Sequence, residues 1–196
     1  MCIRDRRRYV GYVLVSGSGM GAIFAYVATS AFVLQSMNGL SPVAYSIDFA
    51  ANAAGMTLAA LVAARLAGRV ATRKVILAGQ VAALSAGVAM LAGALWFGTP
   101  LLLVIVCFFV LMTAQGLIGP NGGALASAEV PEHPGTGSAM LGFVTWVAAG
   151  VIAPIAGLGG EHTAVPMALL MIACTVLSVA GLALARPAKV APPVSH

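Results

Sequence analysis

Along the chain, long apolar stretches alternate with short polar breaks. Six stretches are long enough to cross a bilayer, whose ~30 Å core needs roughly 20 apolar residues in a helix. They run from about Tyr12 to Gln35, Val43 to Arg65, Val75 to Phe97, Leu101 to Ala128, Ser138 to Leu158 and Val165 to Ala185. The breaks have local causes. Asn38-Gly39-Leu40-Ser41-Pro42 stops one helix and starts the next, with Ser41 as N-cap and Pro42 at the first helical position. Thr99-Pro100 is expected to do the same before the fourth helix. The stretch Val130 to Gly135 holds two prolines and a glycine and interrupts the chain before the fifth.

Composition supports lipid as the solvent. Of 196 residues, 61% are hydrophobic and 8% charged, against about 25% charged in a soluble domain. A water-facing surface cannot be made from so few charges. The net charge of +5 does not point to nucleic acid, because the basic residues sit in short clusters between apolar runs rather than in a patch with stacking aromatics. Cys2, Cys107 and Cys174 lack metal-ligand spacing. No metal or cofactor site is expected, and the motifs of nucleotide hydrolysis, zinc peptidases and serine hydrolases are absent.

The charges also set a topology. Arg4, Arg6, Arg7 and Arg8 precede helix one; Arg65, Arg69, Arg73 and Lys74 surround the helix two–three connection; Arg186 and Lys189 follow helix six. With six spans, all ten basic residues share one side. The positive-inside rule makes that side, and both termini, cytoplasmic. Helices three and six carry few polar groups, while one, two, four and five carry more. Helices one, two, four and five are therefore expected to line a cavity, and three and six to face lipid.

Phe49-Ala50-Ala51-Asn52, Arg65-Leu66 with Arg69 and Arg73, Gly119-Pro120-Asn121, and the stretch Gly135-Thr136-Gly137-Ser138-Ala139-Met140-Leu141-Gly142 resemble the bicyclomycin- and chloramphenicol-resistance family of the major facilitator superfamily. The resemblance runs from about Tyr12 to Arg186. It implies an all-α membrane protein whose six transmembrane helices form the C-terminal half of a twelve-helix drug:proton antiporter working by alternating access. Small-molecule drugs, protons, the lipid bilayer and a missing N-terminal six-helix half would be its partners, and the cell (plasma or inner) membrane its location. Residues 9–186 would be the bundle and 187–196 a cytoplasmic tail. The opening Met1-Cys2-Ile3-Arg4-Asp5-Arg6 fits nothing in that family and resembles translated sequencing-adapter read-through. Residues 1–8 are accordingly read as a non-native or cytoplasmic leader of a truncated gene.

Two other readings stay open: an exporter of a metabolite such as a sugar or amino acid, and a standalone six-helix membrane subunit.

Asp48 is the single acid within a span. Either it binds protons or a cationic substrate, or it sits wetted near the outer interface. Asn52 and Met56 continue its stripe at four-residue spacing. Tyr26 and Ser30 share a face of helix one. Gln115 and Asn121 are the polar candidates of helix four. Each of these has an alternative as an ordinary interhelical or packing group. Gly119 and Pro120, with Gly150, Pro154 and Gly157, are candidates for a bend or close crossing; the last three echo the family's antiporter motif. Arg65, Arg69 and Arg73 are read either as an inner gate clamp or as topology and lipid-attracting charges. His133 is a weaker candidate for a proton role.

Overall fold

A computed structural model describes residues 3–132, 134–159 and 163–185, with the side chains of residues 3–6 excluded. Among the described residues the chain is all helical. Its elements are α1 (Ile3–Ala31, continued by a π-helical segment, Phe32–Met37), α2 (Pro42–Leu66), α3 (Thr72–Trp96), α4 (Leu101–Ala128), α5 (Pro134–Ala156, then a 3-10 turn, Gly157–Gly159) and α6 (Val165–Leu184). All six are long and apolar enough to cross a membrane, and the chain is a multi-pass membrane protein.

The expected boundaries shift at two starts. Helix one begins by Ile3 rather than near Tyr12, because a run of arginines is a good helix former and does not stop a helix. Helix five begins at Pro134 rather than Ser138; proline at the first helical position gives up no intrahelical bond. The α1–α2 break forms as its residues dictate: Ser41 is extended (φ −65°, ψ 152°) and its hydroxyl accepts from Ala44 N at 3.2 Å. The Thr99 expectation is corrected. Pro100 takes the N-cap position, and Thr99 sits in the left-handed region at φ 56° after Gly98 at φ 65°. Its hydroxyl donates instead to Gly98 O at 2.7 Å.

The helices pack with an internal symmetry. In the centre α1 lies on α4. The main neighbours of α1 are α5 and α6, those of α4 are α2 and α3, and α3 and α6 meet. Exchanging α1-α2-α3 with α4-α5-α6 maps these main contacts onto themselves. The arrangement is that of half of a major facilitator fold. It leaves α2 and α5 each resting on one principal neighbour, and only 22% and 11% of their apolar windows are buried, against 44% for α3 and for α6. Within this chain the helices expected to face lipid are thus better covered than two of those expected to line a cavity. The reason is that α3 and α6 cover each other.

Apolar helices gain nothing by leaving lipid for one another, so close backbone approach and hydrogen bonds must hold the bundle. At the α2–α4 crossing, a Cβ on Gly116 would run into the Met56 carbonyl oxygen, and one on Gly55 would lie 2.7 Å from Thr113 Oγ1. Gly11 and Gly181 bring the backbones of α1 and α6 together, and Gly79 lets α3 approach Ile118 of α4. Across the α3–α6 seam, buried Gln80 donates to Ser178 Oγ at 2.8 Å.

All described Lys and Arg residues lie at the end of the bundle where α1, α3 and α5 begin. There Arg8 pairs with Glu129 at 3.6 Å, and Tyr9 donates to Gly137 O at 2.8 Å. Arg73, at the start of α3, donates to Ala185 O at 3.2 Å and also to Leu182 O. It therefore caps the C-terminus of α6, where carbonyls lack helical partners and the dipole favours a cation. Arg73→Ala should loosen the last turn of α6 by ~1 kcal/mol, read as faster amide exchange confined to that turn. Unchanged exchange there would refute the cap.

Candidate functional site

Four residues singled out from the sequence meet between α1 and α2, in the half of the bundle away from the basic end. On α2, Tyr45, Asp48, Phe49 and Asn52 fall at three-, four- and seven-residue offsets and so share one face. On α1, Tyr26 and Ser30 lie one turn apart. Asp48 is six residues into α2, about 9 Å from its start at 1.5 Å per residue.

Asn52 is the hub. Its Nδ2 donates to Asp48 Oδ2 at 2.9 Å and to the Tyr26 hydroxyl at 3.1 Å. Asn52 is 1% exposed and Tyr26 fully buried. Near the α1–α2 turn, Ser30 Oγ and Tyr45 OH share a hydrogen bond of 3.0 Å. Aromatic rings brace the polar groups. Tyr26 stacks on Phe49, with centroids 5.8 Å apart, and meets Phe108 of α4 edge-on at 4.9 Å. Asp48 itself is half-buried. Asn52 Oδ1 is buried without a hydrogen-bond partner, and a buried polar atom left unpaired costs about 1–3 kcal/mol. The cluster thus combines a carboxylate, aromatic faces and a spare acceptor. Chemically it suits a proton or a cationic group.

The other candidates lie elsewhere. Gln115 sits mid-span in α4, 3% exposed, with Oε1 unpartnered; this oxygen lies 2.9 Å from where a Cβ on Gly19 would stand. It belongs to the α1–α4 crossing. Asn121 donates to Leu117 O at 2.8 Å, within its own helix. It thereby supports the backbone next to the Gly116 carbonyl, whose helical donor Pro120 removes. Asn121 therefore does not join the cluster.

The glycine and proline expectations also change. A Cβ on Gly119, Gly150 or Gly157 would meet nothing within 4 Å, and Pro120 and Pro154 are exposed. None of these glycines marks a close crossing within the chain; Gly116 and Gly55 do. Arg65 and Arg69 are exposed at the basic end, whereas Arg73 is taken up by α6. Trp146, 64% exposed, touches Phe24 edge-on at 5.8 Å. His133, Arg186, Lys189, the 187–196 tail and the side chains of Arg4 and Arg6 lie outside the described residues.

Sequence reasoning missed Tyr45 and Phe108. Tyr45 was detectable as the next member of the Asp48–Asn52 stripe. Phe108 was not, since only the packing of α4 brings it to Tyr26.

The class that these observations define is a six-span membrane bundle with a polar cluster in one half and all its described cations at one end. No family model matches the chain. It is similar to a protein of Bacillus subtilis (strain 168) described as the uncharacterized MFS-type transporter YdgK, with 28% identity over 171 residues. That alignment takes in 87% of this chain and 42% of the other. The chain therefore spans about two-fifths of the length of the curated relative it matches. The likeness supports membership of the major facilitator superfamily.

Proposed function

We propose that the chain is the C-terminal six-helix half of a proton-coupled drug exporter of the bicyclomycin- and chloramphenicol-resistance type. It would lie in the cell (inner) membrane with both termini cytoplasmic. The basic end then faces the cytoplasm, and the Asp48 cluster lies toward the outside. The open sides of α2 and α5 receive the other half, and the two halves rock about a site between them.

The observation that carries this reading is the Asp48–Asn52–Tyr26 relay. A carboxylate within a span is expensive unless it is used. Here a buried amide with a spare acceptor oxygen fixes its position. Proton and substrate are coupled because both need Asp48. A cationic, partly aromatic drug would bind the carboxylate and the Phe49 and Tyr45 rings, and a proton would displace it. One wall does not make a transport site, so the chain alone moves no drug.

The test is export from efflux-deficient bacteria that express the chain joined to the six spans expected upstream. Lower accumulation of a cationic dye such as ethidium, abolished by a protonophore, is the expected result. Dye accumulation equal to that of the empty host, at verified expression, would overturn the proposal.

A further inference from the structure

α2 and α3 are joined through residues 67–71 alone, yet they make little contact with each other. Both rest on α4 instead. A groove therefore runs between them with α4 as its floor. α4 meets α2 along Phe109, Thr113 and Gly116, and α3 along Leu103, Ala114 and Ile118. The sector of α4 between those two lines carries Leu102, Val106, Pro120 and Ala124, and all four are exposed.

The walls follow from the same helical spacing. On α2, Gly55 and Ala59 face α4, and Asn52 reaches α1. The side of that line away from α1 carries Leu58, Val62 and Arg65, all exposed. On α3, Gly79 and Gly93 face α4, while Gln80 and Gly87 face α6. The side away from α6 carries Lys74, Ala78, Ala82 and Ser85. Small side chains on this wall leave width between the helices. The Ser85 hydroxyl is bound to its own helix, donating to Ala82 O at 2.8 Å.

Arg65 and Lys74 thus stand on opposite walls at the basic mouth of the groove, and exposed Arg69 lies in the connection across it. Among the described residues, none of these three is in an ion pair, and Glu129 at the same end is held by Arg8. Arg73 is turned away onto α6. Topology requires cations at this end of the bundle. It does not require them on the stripes that border a groove.

We infer that this groove is a binding site for an anionic phospholipid of the membrane. An acyl chain lies along the α4 floor between α2 and α3, and the phosphodiester meets Arg65, Lys74 and Arg69. A guanidinium matches a phosphate with two parallel hydrogen bonds. A zwitterionic lipid brings its own ammonium to its phosphate and gains less from the three cations. Each cation near an anionic lipid contributes roughly fivefold in affinity. The site needs a chain that spans a membrane and is independent of Asp48 and of transport.

The test uses the full 196-residue chain in phosphatidylcholine nanodiscs. They carry a trace of phosphatidylglycerol with a diazirine in one acyl chain, or the matched phosphatidylcholine probe. After illumination, labelled residues are read by mass spectrometry. The phosphatidylglycerol probe is expected to label the groove walls, Leu58 to Val62 and Ala78 to Ser85, at least about fivefold more than the phosphatidylcholine probe. Arg65→Gln and Lys74→Gln should each lower that preference about fivefold. Arg7→Gln removes an exposed cation from the same end, on α1, and should leave it within twofold. Labelling of the exposed face of α5 by the phosphatidylcholine probe should stay constant in all variants, which shows that the bundle is intact.

Excess glycerol 1-phosphate, the soluble counterpart of the headgroup, should not displace the lipid probe. Equal labelling by the two probes would overturn the inference, as would an equal loss from Arg7→Gln. Displacement by glycerol 1-phosphate would make the site one for a free phosphate. A groove that neither probe labels would mean that another helix or a second copy of the chain covers it. Either result would also overturn the inference.

Discussion

Gly116→Leu is expected to break the bundle. A Cβ at this position already meets the Met56 carbonyl oxygen and lies 3.0 Å from Ala59 Cβ. Neither the backbone of α2 nor a methyl attached directly to it can rotate away. The added side chain must push α2 off α4, its principal neighbour. Overpacking of a close-packed interior costs about 1–3 kcal/mol, and here the whole contact of one helix is at stake. Even Gly116→Ala should lower the thermal midpoint in detergent, with Leu giving aggregated material on size exclusion. Gly119→Ala is the control. It lies three residues on in the same helix, but its added methyl enters open space. Replacing a mid-helix glycine there should be neutral or stabilise by up to ~1 kcal/mol. Equal losses from Gly116→Ala and Gly119→Ala would show that the α2–α4 crossing is misplaced.

The second large effect concerns Asp48. In the joined protein, Asp48→Asn should abolish proton-driven export and weaken cation binding. The substitution keeps the size of the side chain and its capacity to accept from Asn52 Nδ2, so the fold is expected to survive. What is lost is the charge and the titrating proton. A hydrogen bond to a charged group contributes ~1.5–3 kcal/mol, which corresponds to roughly 10–100-fold in affinity. Binding of ethidium by fluorescence anisotropy reads the first loss, and proton release from detergent-solubilised protein on addition of the dye reads the second. Asn52→Leu should move both measurements in the same direction, because Asp48 would lose the donor that positions it and Tyr26 its partner. Full export and full proton release by Asp48→Asn would remove Asp48 from the mechanism.

The sequence carried the six spans, their polar breaks and the one-sided charge, because each rests on local chemistry. Ser41 and Pro42 start α2 through a capping hydroxyl and a fixed φ within the segment itself, and a run of about 20 apolar residues marks a span by its own length. Helical spacing made Tyr26 with Ser30, and Asp48 with Asn52, legible as two separate stripes; their meeting depends on how α1 and α2 pack and was not legible. The limits were equally physical. Gly116 and Gly119 look alike in a sequence, and only the position of α2 decides which one lies in a crossing. Asn121 read as a cavity group because its reach back to Leu117 O depends on the backbone around Pro120. Arg73 read as one of three equivalent loop cations, until the C-terminus of α6, more than a hundred residues on, was found against it.

The claim on which the account turns is that this bundle is half of a transporter. The most direct measurement is the coding DNA upstream of the codon for Tyr9. The reading frame is expected to continue through about six further apolar spans, which with these six make the twelve-helix fold. An in-frame stop codon followed by a start codon and ribosome-binding site just before Tyr9 would contradict it, and would make the six-helix chain a membrane protein in its own right.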